Sequence, residues 1–302
     1  MFRSLATLVG LAALAVAGPL RAQDDDFSAV EIRTEQVAPG VHMLVGRGGN
    51  LGVSSGPDGI FLIDDQFAPL HDKIRAAVAA IQSGPIRFVV NTHWHGDHTG
   101  GNEALGGGGA VIVAHDAVRA RMSTEQFIQA FGRRVPPSPP AALPVVTFSQ
   151  DVTFHLNGDE IHVFHVPSAH TDGDSIVHFR KADVIHAGDV VFSGRYPFID
   201  LSSGGSMKGV IAAVERILGM AGEGTAIIPG HGPRASRADL VAYRDMLVFV
   251  RDLVAGAIAS GTSVDDLVAS EPLAAYDAQW GGGFVKSSGF LKLAYASLGS
   301  GR

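Results

Sequence analysis

The chain has 302 residues, 46% of them hydrophobic and 18% charged, with a formal net charge of -7, 13 histidines and no cysteine. That length and apolar content describe a globular protein with a sizeable core and exclude wholesale disorder. The negative charge disfavours nucleic acid, whose phosphates would be repelled, and the lack of cysteine excludes disulfides and thiolate metal ligands.

Residues 1–22 read as a secretory signal peptide: Arg3 gives a positive start, residues 5–17 are small and apolar, and acids begin at Asp24. The apolar run is short of the roughly 20 residues a bilayer crossing needs, so no stable membrane anchor is expected after cleavage. Cleavage fits after Ala17 or after Ala22; removing residues 1–22 takes away Arg3 and Arg21 and no acid, moving the charge from -7 to -9. The mature domain is then 23–302, and its expected location is periplasmic or secreted.

Short apolar or alternating runs at 41–45, 51–55 and 59–63 predict consecutive antiparallel strands, the third ending in Asp64-Asp65. The periodicity at 70–81 predicts a helix, and 86–90 a strand that runs straight into Asn91-Thr92-His93. Gly46 to Asn50 is expected as a mobile flap. A strand at 111–114 and a helix at 116–122 continue a strand, helix, strand rhythm that signals an α/β fold. Glycines 106–109 lack phosphate-loop spacing and read as a turn. Five prolines between 136 and 144 predict that neither helix nor sheet persists over 132–144, leaving a surface arm. Strands are expected at 145–148, 152–156, 160–165, 175–179 and 183–187, with a hairpin at Asn157-Gly158. Helices follow at 207–218, 237–259, 264–269 and 287–298, with a last strand at 226–228. The two halves share one plan, several strands and then helix, strand and loop, within one two-sheet domain.

His93-Trp94-His95-Gly96-Asp97-His98 places three imidazoles and a carboxylate in six residues after a strand. A strand would split these donors between two faces, and a helix would not put 93 and 95 on one side, so a loop must fold them inward. Positions i and i+2 can grip one metal while Asp97 and His98 turn to a second, with Gly96 permitting the bend. His170, Asp189 and His231, each in a turn-rich stretch, bring the donors to seven, enough for two metal ions. The remaining histidines have ordinary roles: His42, His71, His155, His162, His165, His178 and His186 need only one hydrogen bond each, and His115 starts a helix.

The order His-x-His-x-Asp-His, a distant His, Gly-Asp and Pro-Gly-His resembles the metallo-β-lactamase superfamily over roughly residues 37–233. The resemblance implies an αβ/βα four-layer sandwich, two mixed sheets face to face with helices outside and metals at one edge. It assigns His93, His95 and His170 to a first zinc, Asp97, His98 and His231 to a second, and Asp189 to both, with iron or manganese as alternative metals. It implies a zinc-dependent hydrolase in which a metal-bound hydroxide, oriented by the catalytic Asp97, attacks an amide or ester carbonyl. Thr99 and Asp64 are expected to support the ligands. True β-lactamases of this superfamily carry Cys or a small residue where Asp189 falls, whereas thioesterases of the glyoxalase II type carry Asp. Export nevertheless favours a small-molecule substrate of the β-lactam kind, with a thioesterase or lactonase as the alternative and a noncatalytic metal-binding module ranked below both. Trp94, Tyr196 and Phe198 are the expected substrate-binding residues, with Arg195, Ser202, Ser203 and Lys208 as further candidates. The oligomeric state is left open.

Overall fold

The structure, a computed structural model, describes residues 26–300; the expected signal peptide lies outside them. Among these residues no helix is long and apolar enough to cross a membrane. The first half comprises β1 (Arg33–Ala38), β2 (Val41–Val45), β3 (Leu51–Gly56), β4 (Gly59–Ile63), α1 (His71–Ile81), β5 (Ile86–Val90), α2 (Gly96–Thr99), α3 (Asn102–Gly107), β6 (Val111–His115), α4 (Asp116–Met122), β7 (Gln126–Ile128), β8 (Arg133–Val135) and β9 (Val146–Phe148). The second comprises β10 (Asp151–Leu156), β11 (Asp159–His165), β12 (Ser175–Phe179), β13 (Val184–His186), α5 (Met207–Met220), β14 (Ala226–Ile228), α6 (Arg237–Ala259), α7 (Val264–Ala269), α8 (Asp277–Trp280) and α9 (Ser287–Gly299).

Strands β1-β2-β3-β4-β5-β6-β9 form one mixed sheet, antiparallel as far as β4 and parallel beyond it. Strands β10-β11-β12-β13-β14 form the other, with its last pair parallel. Alternation along the strands sorts side chains between two faces. Phe61, Ile63, Val90 and Val113 meet Val163, Val177, Phe179 and Ile228 between the sheets. On the outer face of the first sheet Ile60, Leu62 and Val89 pack against Ile74 and Val78 of α1. On the outer face of the second, Ile176, Ile185 and Ile227 share a core with Val214, Leu247 and Phe290 of α5, α6 and α9. The expected four-layer sandwich results, and its strands end at one edge where the loops carrying the candidate ligands meet.

Two local expectations are corrected, and one strand carries no signal in the sequence. Strand β1 has a largely exposed, polar edge sequence with no apolar alternation to announce it. Strand β8 persists inside the 132–144 arm, pairing with β7 up to Val135, because the proline run begins only at Pro136. Residues Gly96–Thr99 form a short helical turn instead of open loop.

Candidate metal centre

Four strands deliver the candidate ligands. β5 ends just before His93 and His95, and α2 then turns Asp97 and His98 the other way; His170 follows β11, Asp189 follows β13 and His231 follows β14. Backbone bonds tie these loops together, Asp64 N–H donating to Val90 at 2.9 Å, Ser175 N–H to Thr92 at 2.8 Å and Ala187 N–H to Ile228 at 2.8 Å.

The structure brings all seven residues together. His93, His95 and His170 form one donor group, Asp97, His98 and His231 a second, and His93, His98 and Asp189 a third that joins them, each with ligand atoms within 4.8 Å of one another. Asp189 lies centrally: Oδ1 is 3.1 Å from His98 Nε2, and Oδ2 is 3.4 Å from His231 Nε2, 3.6 Å from His170 Nε2 and 3.9 Å from His93 Nε2. Asp97 Oδ2 is 3.3 Å from His231 Nε2 and 3.7 Å from His98 Nε2.

Outer partners set which nitrogen of each ring faces inward. His98 Nδ1 lies 2.7 Å from Asp64 Oδ2, which also accepts the Thr92 hydroxyl at 2.7 Å. With its one proton so used, Thr92 Oγ1 accepts from His93 Nδ1 at 3.1 Å. His170 Nδ1 donates to the Phe198 carbonyl at 2.8 Å, and His95 Nε2 to Asp200 Oδ2 at 3.0 Å. Lone pairs are thereby left inward on His93 Nε2, on His98 Nε2 whenever that ring is neutral, and on His95 Nδ1 and His170 Nε2. The last two stand 2.9 Å apart, an arrangement that calls for a cation. Consistently, His93 Nε2, His98 Nε2 and Asp189 Oδ1 are buried without a hydrogen-bond partner. These donors, all nitrogen and oxygen, fit divalent zinc, iron or manganese.

The electrostatics divide the cluster. Burial, reinforced by neighbouring His98, drives His93 well below the usual imidazole range, and burial takes His170 down to about 4, so both rings are neutral across the physiological range, as metal binding would require. Burial also opposes charge on His231 and His98, but the nearby carboxylates outweigh it. Asp189 and Asp97 raise His231 to about 9, and Asp189, Asp97 and Asp64 lift His98 well above its ordinary value. Reciprocally, despite burial, His231 and His98 hold Asp189 and Asp97 ionised.

Loop 46–50 is a fixed wall and not the expected flap. Gly49 N–H donates to the Asp97 carbonyl at 3.1 Å, Gln66 Nε2 to Gly49 O at 2.6 Å, and Asn50 side-chain nitrogen to the carbonyls of Pro229 and Gly232 at 2.9 Å each. A side chain at Gly49 would occupy the space of the His98 ring, so this close approach requires glycine. Tyr196 is corrected too: it is 1% exposed and stacks on Phe290 in the core. Trp94 is 4% exposed, donates to Ser203 Oγ at 3.2 Å and packs on His95, so it braces a ligand. Phe198 does reach the centre, with its ring 5.7 Å from that of His170 and 6.2 Å from that of His95. Ser202 and Ser203 donate to Asp200, Thr99 bonds the carbonyls of Trp94 and His95, and Lys208 is exposed on α5. Asp200 itself was missed; the signal for it is an Asp followed by Leu-Ser-Ser, a helical-turn cap, which says nothing of His95.

Two mixed sheets enclosed by helices, with a histidine and aspartate cluster at their strand ends able to hold metal ions, define a class of metal-site proteins. The family model described as the metallo-beta-lactamase superfamily matches residues 54–258, and the chain belongs to that superfamily, whose members are generally hydrolases. Among solved structures it is similar to a metallo-beta-lactamase from Pontibacter korlensis, at 19% identity and a TM-score of 0.57 over 72% of this chain and 99% of that one. The DIM-1 metallo-beta-lactamase matches at 19% identity and 0.58 over 73% and 99%. A double mutant of the sec-alkyl sulfatase PisA1 matches at 17% identity and 0.63; 87% of this chain is covered but half, 50%, of that one. At such identities the likeness is one of fold.

Proposed function

We propose that the chain is an exported zinc-dependent hydrolase holding two metal ions, which opens the carbonyl of a β-lactam or a related cyclic amide or ester. The observation that carries this reading is the pair of donor groups joined through His93, His98 and Asp189, open on the Asp97 side, where the side chain is 26% exposed. His93, His95 and His170 would hold one ion and Asp97, His98 and His231 the other, with Asp189 reaching both. Paired divalent cations, when bound, supply Lewis acidity and a nucleophile at neutral pH. Asp97, kept ionised by its histidine neighbours, accepts a hydrogen bond and orients the attacking water without retaining its proton. Trp94 and Phe198 keep solvent from the His95–His170 side. On the His231 side a cavity of about 550 Å³ is lined by Arg33, Arg47, Arg195 and Glu35, the last paired with Arg234, and Arg195 has no ion-pair partner among the described residues. That cation suits an anionic small-molecule substrate. The acidic chain disfavours nucleic acid, and the leader at 1–22 supports a periplasmic or secreted location.

The bridging position of Asp189 favours a second reading, hydrolysis of a thioester or lactone. Assays of the purified, zinc-loaded mature chain with nitrocefin, a carbapenem, lactoylglutathione and an acyl-homoserine lactone separate the two. Lactam turnover is expected; none with either lactam at full metal content overturns the first reading.

A further inference from the structure

Two histidines of the second sheet take no part in the metal centre and have no hydrogen-bond partner among the described residues. His162 on β11 and His178 on β12 stand directly opposite each other in the antiparallel ladder, and the next pair on the same face is Phe164 and Ile176. Those two belong to the core beneath α5, α6 and α9. Alternation therefore puts both imidazoles on the outer face of the sheet, at the margin of the helical cover, where each is half-buried. The His162 ring lies 5.3 Å from that of Phe164, and His178 has the fully buried Ile185 of β13 on its other side.

We propose that His162 and His178 form a further metal site, separate from the centre at the strand ends, which takes one divalent transition cation of the copper or nickel kind through one nitrogen of each ring and completes its shell with water. Directly opposite residues of an antiparallel pair have Cβ atoms about 4.5–5.5 Å apart, so two imidazoles on one face can each turn a nitrogen to a common ion with the backbone unmoved. Both rings are in the form that binds. Burial, with Arg180 adding to it, holds each below the ordinary imidazole range, and a ring already neutral at neutral pH binds a metal without first losing a proton. Arg180 by itself would oppose a cation, but it is paired with Glu160, and Arg216 is turned onto the Phe164 ring and the His165 carbonyl. Asp151 acts on His162, and Asp159 and Asp183 on His178, so carboxylates outnumber guanidiniums around the pair. Two nitrogen donors with water in the remaining positions suit the tetragonal preference of copper and nickel better than the closed tetrahedron of structural zinc. His155 of β10 shares the face but stands opposite Glu160 and is exposed, outside the pair. The site is independent of the chemistry at the centre and stands whether or not that centre is a hydrolase.

The test loads the mature chain with zinc, removes the excess and titrates Cu2+ by calorimetry, with zinc content measured in the same sample. One copper per chain should bind while the zinc stays in place, and its electron paramagnetic resonance spectrum should show coupling to two nitrogens. A single ring lacks the gain of a linked partner, so binding should weaken about tenfold or more in His162→Gln and in His178→Gln, with zinc content unchanged, and should hold in His155→Gln. The wild-type spectrum needs no substitution and decides the site even where a variant fails to fold: copper coupled to one nitrogen, or to none, overturns the proposal. Copper uptake matched by zinc loss would assign the ion to the centre at the strand ends, and an affinity unchanged in both the His162 and the His178 variants would assign it to scattered surface groups; either result overturns the proposal.

Discussion

Replacing Asp64 with Asn removes one charge without changing shape, and the hydrogen bonds around it dictate the consequence for the metal ligands. Asp64 is fully buried and accepts three bonds, from the Thr92 N–H on Oδ1 and from the Thr92 hydroxyl and His98 Nδ1 on Oδ2, each at 2.7 Å. The backbone N–H cannot reverse, so the Asn oxygen must take the Oδ1 place and the amide nitrogen the Oδ2 place. Thr92 can rotate its hydroxyl and accept from the new amide, its second lone pair still accepting from His93 Nδ1. His98 can satisfy Nδ1 only by becoming the other tautomer, with the proton on Nε2 and no lone pair for a metal. The backbone is no confounder, because φ at Asp64 is 57°, a left-handed value that Asn adopts at least as readily. Loss of such outer partners typically costs 10–100-fold in metal affinity, or roughly 1.4–2.8 kcal/mol. Chelator competition should show that loss, largest for the ion held by Asp97, His98 and His231. Wild-type affinity for both ions in a folded Asp64→Asn protein would refute the tautomer argument.

Gly49→Ala should place a methyl group in the His98 ring, where overpacking costs about 1–3 kcal/mol; urea unfolding of the metal-free variant should show that loss, and wild-type stability would contradict the close approach. Asp200→Ala frees His95 Nε2 and should weaken the ion at His93, His95 and His170 about tenfold or more, read by metal competition, with the other ion retained. In the metal-free chain the His231 imidazolium stabilises the fold in full below pH 6.5, and that contribution is lost as pH rises through about 9. Metal binding needs the neutral ring, so affinity should rise between pH 6.5 and 9, with at least one proton released per chain in calorimetry at pH 7.5 in two buffers; no release would contradict the assignment. Arg195→Ala should raise KM for anionic substrates several-fold and leave a neutral ester little changed, as seen in steady-state kinetics.

The buried strands were legible because turn residues bound short, largely apolar runs, as at Gly59–Ile63 and Ile86–Val90. The donor cluster was legible because three imidazoles in six residues have no packing explanation. Strand β1 was not, since a polar edge strand is specified by its neighbour β2 and not by its own pattern. Nor was the division between Tyr196 and Phe198: both are aromatic and close to Asp189 in sequence, and only the arrival of Phe290 behind one and of Phe131 and Phe284 beside the other separates core from site. The pinned loop at 46–50 reads as flexible glycine in sequence, whereas its bonds to Gln66, Asp97 and Gly230 come from contacts distant in the chain.

Anomalous diffraction at the zinc edge from crystals of the zinc-loaded mature chain tests the central claim most directly. Two peaks are expected, one enclosed by His93, His95 and His170 and one by Asp97, His98 and His231, with the Asp189 carboxylate between them. A single peak, or none within reach of these seven side chains, would contradict the paired metal centre on which the hydrolase reading rests.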